Sequence, residues 1–153
     1  MNDIENLELH VMTISDLDSI ADLLESKFDD FWNYNILKEE LQADNSKYIV
    51  AKNSITGKIL GFAGIKIILD DAEIMNIVTR KDFRNLGIGS KLLSYLIDIC
   101  TSLNLNSIFL EVHENNKIAQ NLYNKYGFKN IYVRKNYYNN NAGIIMKKVL
   151  KTS

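Results

Sequence analysis

Two spacings of apolar residues alternate along the chain, and each change of spacing marks a new element. Leu9, Val11 and Ile14 suit a short opening strand, and Ser15-Asp16-Leu17-Asp18 follows as a helix N-cap with an acidic residue at the third helical position. Leu17, Ile20, Ala21, Leu24 and Phe28 then recur at helical intervals, which gives a first helix with one buried face. Phe31-Trp32-Asn33-Tyr34 is an aromatic patch in a loop, ahead of a short helical pattern at Ile36, Leu37, Glu40 and Leu41. From Tyr48 the spacing becomes that of strands: residues 48–51, a turn over 53–57, residues 59–69, a tight turn at Asp70-Asp71, and residues 72–78, together an antiparallel meander.

Helical spacing returns at Ile88, Leu92, Leu96, Ile99 and Leu103, and Asn104 to Asn106 ends that long helix. Residues 107–112 form another strand. Because a whole helix separates it from the strand 72–78, the two should pair in parallel through a right-handed crossover. Asn115 and Asn116 can cap a further helix that turns Ile118, Ala119, Leu122 and Tyr126 inward and stops at Gly127 in the left-handed conformation. Residues 128–133 and 143–149 close the chain as two strands, joined by a loop over 135–142 rich in asparagine and tyrosine. The order is strand, two helices, three strands, helix, strand, helix, two strands: an α/β or α+β architecture.

Composition narrows the function classes. A chain of 153 residues, 46% hydrophobic, fits one domain with a proper core. Its 18 basic and 19 acidic residues leave a formal charge of −1, so no overall field draws it to nucleic acid or to an anionic membrane. The single cysteine, Cys100, excludes an internal disulfide and a cysteine metal cage, and it reads as core filler on the apolar side of its helix. The start lacks the basic region and long apolar run of a signal peptide, and the most apolar stretch, 59–69, is too short to span a bilayer and contains Lys66. A cytoplasmic location is expected. Neither His10 nor His113 has neighbours at metal-ligand spacing, so no metal is expected. The late run Lys129, Arg134, Lys135, Lys147, Lys148 and Lys151, with tyrosines interleaved, reads as a solvated face rather than an RNA-binding one.

Three separated features carry candidate chemistry. The first is Arg84-Asn85-Leu86-Gly87-Ile88-Gly89, where a strand passes through a charged turn into a helix. Helix-start amides have no intrahelical partner and favour an anion, glycines let the main chain approach it, and Arg84 can add a charge-assisted contact. A pyrophosphate cradle is one reading, and an ordinary strand-to-helix turn with glycines at its cap accounts for the six residues as well. The second feature is Glu111, a carboxylate in the apolar run Ile108-Phe109-Leu110-Glu111-Val112, costly to bury unless paired or set at a cleft. A solvent-facing strand position is its plain alternative. The third is Tyr123 on the helix that follows. Parallel strands ending at one sheet edge should gather the turn, Glu111 and the Asn116 helix start around one cleft. A carboxylate base and a phenolic acid beside a phosphate-binding turn suit acyl transfer from a phosphate-bearing carrier to an amine. His113 could assist proton transfer, though a loop histidine suffices to explain it.

The segment Arg84 to Gly89 resembles the Gln/Arg-x-x-Gly-x-Gly/Ala signature of the GNAT N-acetyltransferases, and the element order resembles that fold. The match is narrower toward the RimI-type ribosomal-protein-alanine N-acetyltransferases. It is carried by Asn76-Ile77-Val78, Leu110-Glu111-Val112, Asn116 through Leu122-Tyr123 to Tyr126-Gly127-Phe128, and Arg134-Lys135-Asn136-Tyr137-Tyr138 followed by Ile144-Ile145-Met146. The resemblance implies a single GNAT N-acetyltransferase domain over 1–153, with a mixed central sheet of about seven strands, its central parallel strands splayed, flanked by about four helices. It implies acetyl-CoA as donor, held by Ile77, Val78 and Thr79 and by Arg84, Asn85, Leu86, Gly87, Ile88, Gly89 and Ser90, with Asn116 on the carrier arm. Glu111 would accept a proton, Tyr123 would donate one, and an N–H of the splayed strand, that of Val78, would face the thioester oxygen. Phe31 and Trp32 would line the acceptor site, with Tyr137 and Tyr138 on the opposite wall. Asn33, in place of the usual small hydroxyl residue, and the short loop after Tyr138 depart from the pattern on the acceptor side.

The acceptor implied is the N-terminal amine of a protein, foremost the alanine of a small-subunit ribosomal protein. Two alternatives remain open at this stage: the same chemistry on a lysine side chain, a polyamine or an antibiotic amine, and a module that binds acetyl-CoA without turnover.

Overall fold

The computed structural model describes residues 3–28, 33–138 and 141–151, with the backbone alone for 136–138 and 141. Seven strands, β1 (Leu7–Val11), β2 (Ser46–Asn53), β3 (Ile59–Ile68), β4 (Asp71–Thr79), β5 (Ser107–His113), β6 (Lys129–Tyr138) and β7 (Asn141–Val149), hydrogen-bond in the order β1-β2-β3-β4-β5-β7-β6. Among the described residues four α-helices intervene: α1 (Ile14–Ile20), α2 (Tyr34–Gln42), α3 (Ile88–Ser102) and α4 (Lys117–Lys125). The expected order of elements and the mixed sheet are both present. By contacts the chain forms two compact units, Met1–Lys66 with Met75–Leu96 and Ile67–Ile74 with Ile97–Ser153.

In the first unit, β1 pairs antiparallel with β2 and β2 with β3. Residues 48–51 and 59–65 are buried at every position, so these strands are apolar on both faces rather than alternating. Met12, Leu17, Ile20, Leu24, Phe28 and Leu37 form one core with Tyr48, Val50, Ile59, Phe62 and Val78. Phe28 meets Phe62 edge-on at 5.6 Å between ring centroids, and Lys81 N donates to Lys27 O at 2.7 Å, which ties the end of the α1 segment to the end of β4. Gly64 lies flat under the Tyr48 ring: a Cβ there would come within 2.3 Å of its carbons, so only glycine lets the aromatic ring down onto β3.

The cap of α1 differs from the expected one. Thr13 is the N-cap: its hydroxyl accepts from Asp16 N at 3.0 Å while Asp16 Oδ2 accepts from Thr13 N at 2.9 Å, a reciprocal capping box two residues earlier than Ser15. Ile14 therefore opens the helix instead of closing the strand. Asn33 caps α2, accepting from Asn35 N at 2.8 Å, which places Tyr34 inside the helix. Ile36 lies 48% exposed while Leu37 is fully buried, with Leu41 and Tyr34 partly buried against the same core.

In the second unit, β4 and β5 pair in parallel, as the intervening α3 required. The paired register is short: Asp71↔Ser107, Ala72↔Ile108 and Glu73↔Phe109, although β4 runs on to Thr79 and β5 to His113. β7 pairs antiparallel with β5 on one side and β6 on the other. Cys100 is buried on α3, and burial pushes its thiol up to about 11. Leu103 falls just beyond the helix and is 44% exposed, so the apolar stripe ends one turn sooner than expected.

Two further expectations are corrected here. Ile118 is 79% exposed, and the buried side chain near the start of α4 is Gln120, whose amide donates to His113 O at 3.1 Å and Glu114 O at 2.9 Å. A polar residue can sit inside because it satisfies carbonyls at the end of β5. Residues 135–142 are not all loop either: β6 continues to Tyr138 and β7 begins at Asn141, with Tyr138 paired to Asn141.

Candidate active site

The glycine turn belongs to the first unit. Asn85 and Gly87 both adopt positive φ, 62° and 84°, and Lys91 N donates to Gly87 O at 3.0 Å as α3 begins. The amides of Ile88 and Gly89 therefore lie in the first turn, where a helix offers no carbonyl of its own. A Cβ built on Gly87 meets nothing within 4 Å, so the turn is open on that side and glycine is required there by conformation alone. Arg84, Asn85, Leu86 and Gly87 are exposed, Ile88 is buried, and Gly89 and Ser90 are half-buried. The first turn of α3 carries no acidic residue to oppose an anion. At the end of β4, Val78 is buried in the core while Ile77 and Thr79 are half-buried on the opposite face. Exposed main chain and a helix start, with Arg84 in the same turn, fit a pyrophosphate.

The proton-transfer candidates belong to the second unit. Ile108, Leu110 and Val112 of β5 are buried, whereas Phe109, Glu111 and His113 share the other face and are half-buried. Glu111 is neither solvated freely nor sealed in: Arg134 Nε donates to its Oε2 at 3.1 Å, with the two side chains 21% and 41% exposed. Sequence spacing ends the strand at Val133 and puts Arg134 in a solvated basic run, which leaves this partner out. Its place on β6 puts it on the same sheet face as Glu111, information that needs the register of three strands. His113 Nδ1 accepts from Asn115 N at 3.0 Å, which fixes that nitrogen as an acceptor. Asn116 is the N-cap of α4, its Oδ1 accepting from Ala119 N at 3.1 Å. Tyr123, the seventh residue of α4, is half-buried with its ring 5.9 Å from that of Phe128.

Phe31 and Trp32 lie outside the described residues, and Tyr137 and Tyr138 are placed on β6 by their backbone. Among the described residues, no group of three or more His, Cys, Asp or Glu side chains could hold a metal, and no helix is long and apolar enough to cross a membrane.

Known proteins agree on the family. Residues 16–128 match the Acetyltransferase (GNAT) family. The chain is 31% identical over 132 residues, 86% of either protein, to a candidate ribosomal protein bS18-alanine N-acetyltransferase of Bacillus subtilis (strain 168). It is 33% identical over 112 residues to the ribosomal protein bS18-alanine N-acetyltransferase of Haemophilus influenzae, covering 73% of this chain and 74% of that one. Its fold matches the crystal structure of the ribosomal-protein-S18-alanine N-acetyltransferase from Escherichia coli with a TM-score of 0.85 over 96% of both chains at 24% identity. The signature turn at the start of α3 and the short parallel pairing of β4 with β5 thus take their place in a chain that belongs to the acetyltransferase (GNAT) family and is an N-acetyltransferase.

Proposed function

We propose that this N-acetyltransferase transfers acetyl from acetyl-CoA, the donor its family implies, to the N-terminal amine of a protein that begins with alanine, foremost a small-subunit ribosomal protein in the cytoplasm. The observation that carries this reading is the identity with relatives named for that substrate over most of both chains. Residues 1–153 would act as one acetyltransferase domain without a metal.

In this reading the main chain of Ile77, Val78 and Thr79 and the turn from Arg84 to Ser90 hold the donor. The positive-φ glycine, the first-turn amides and Arg84 support the pyrophosphate assignment. Asn116 contacts the carrier arm through its amide nitrogen, since its oxygen is committed to the cap of α4. An N-terminal amine, with a pKa of about 7.7 to 8.0, must give up a proton to attack, and Glu111 accepts it directly or through water. The new N–C bond forms as the C–S bond breaks, the N–H of Val78 stabilises charge on the carbonyl oxygen, and Tyr123 gives its proton to the departing sulfur. Phe31 and Trp32 line the acceptor site with Tyr137 and Tyr138 opposite.

Incubation with acetyl-CoA and peptides beginning with alanine should release free thiol, and the same peptides with a blocked N-terminus should not. Release with polyamines or lysine side chains but not with alanine N-termini would transfer the assignment to those amines. Tight binding of CoA with no release on any amine would make the protein a non-catalytic binding module.

A further inference from the structure

We propose that Arg134 is a positioning residue for the proton acceptor, anchoring one oxygen of Glu111 so that the other is presented to the acceptor amine; the inference rests on Glu111 accepting the proton. The two side chains come from strands that are not neighbours. In the sheet, Glu111 of β5 stands opposite Ile145 of β7, which stands opposite Tyr132 of β6, and the next row is His113, Gly143 and Arg134. Residues directly opposed in antiparallel strands point to the same face, so both rows share the face that carries Glu111. Arg134 must then cross β7, and β5 and β6 lie about 9 to 10 Å apart at two strand spacings. In its own row the residue to be crossed is Gly143, which has no side chain to stand in the way. The register of β6 also shifts on both sides of this stretch, between Asn130 and Tyr132 and between Arg134 and Tyr138. Bulges of this kind re-aim side chains.

The neighbouring cation and imidazole on that face have other engagements. Lys147 lies over the Phe109 ring at 5.3 Å, and His113 Nδ1 takes the Asn115 amide. Arg134 is the group that meets Glu111, through Nε to Oε2. A pair this exposed adds little to stability. Its consequence is geometric: with Oε2 tethered, the carboxylate has one remaining oxygen and one orientation in which to take a proton.

The test is a double-mutant cycle in kcat and KM with the full chain, using Arg134→Met, Arg134→Lys, Glu111→Gln and the double variant Glu111→Gln/Arg134→Met. Loss of orientation at the acceptor should lower kcat by about 10- to 100-fold in Arg134→Met, with KM for acetyl-CoA and the thermal midpoint unchanged. Arg134→Lys should recover most of kcat, because the contact uses Nε and a lysine Nζ lies one bond further along the side chain. The double variant should be no slower than Glu111→Gln alone. If Arg134→Met is as fast as wild type while Glu111→Gln is impaired, the positioning role is wrong and the acceptor assignment stands. Multiplying losses in the double variant would equally overturn it, since Arg134 would then act elsewhere. Wild-type rates for Glu111→Gln would remove the acceptor assignment itself. Arg134→Gln replaces the methionine variant if circular dichroism shows that the latter misfolds.

Discussion

Gly87 is where a single atom changes most. Its φ of 84° strains any residue with a Cβ, yet the space around it is empty. Gly87→Ala should therefore cost about 1–2 kcal/mol from backbone strain alone, and its KM for acetyl-CoA should rise while kcat at saturation changes less; thermal melts and initial-rate kinetics check the two parts. Cys100 makes the opposite case, a reactive group silenced by its surroundings. With its thiol pushed up to about 11 by burial on α3, it stays protonated and enclosed at neutral pH. A thiol-specific chromogenic reagent should label it slowly in the folded protein and rapidly in denaturant, and fast native labelling would show that α3 opens readily. The role of Cys100 as core filler was legible from helical spacing. The partner of Glu111 was not, because residue type and spacing within one strand carry no information on which side chain arrives from two strands away.

At the scale of elements, the sequence misplaced starts and stops more than it misplaced structure. Two hydroxyl residues stand near the start of α1, and only the reciprocal bonds of Thr13 with Asp16 decide between Thr13 and Ser15. Asparagine and tyrosine between Lys135 and Ala142 resemble loop composition, yet β6 runs to Tyr138 and pairs it with Asn141 of β7, so strand pairing overrides local preference at those residues. Gln120 displaced Ile118 from the inside of α4 because the end of β5 presents carbonyls that a glutamine amide can satisfy. The α1 cap also predicts a pH dependence. Burial of Asp16 acts to raise its pKa, but hydrogen bonds from Lys52 and Thr13 and the charge of Lys52 outweigh it, so the carboxyl sits below its usual 3.8. A folded pKa below the unfolded one contributes stability that is present above pH 3.8 and is lost as pH falls through the folded value. Asp16→Asn should thus be less stable than wild type at neutral pH by about 1–2 kcal/mol, and denaturant titrations should show the gap closing in acid below the usual carboxylate value.

Over the whole molecule, the alternation of helical and strand spacing was enough for the strand count, the helix count and the parallel pairing of β4 with β5. A crossover helix between two strands leaves little topological choice. The turn proposed for the donor was legible in its backbone for a related reason: it is local, written in consecutive residues with a glycine at positive φ. The acceptor side is assembled from separate segments, and its candidates Phe31, Trp32, Tyr137 and Tyr138 entered through resemblance. Acceptor identity is accordingly the claim that carries the most weight. Mass spectrometry of an alanine-initiated ribosomal-protein peptide after incubation with enzyme and acetyl-CoA tests it directly, with fragmentation to locate the modification. The account predicts one acetyl group on the terminal amine, absent when Glu111→Gln replaces the wild type on the same timescale. An unmodified terminus, with acetyl found instead on lysine side chains, would contradict it.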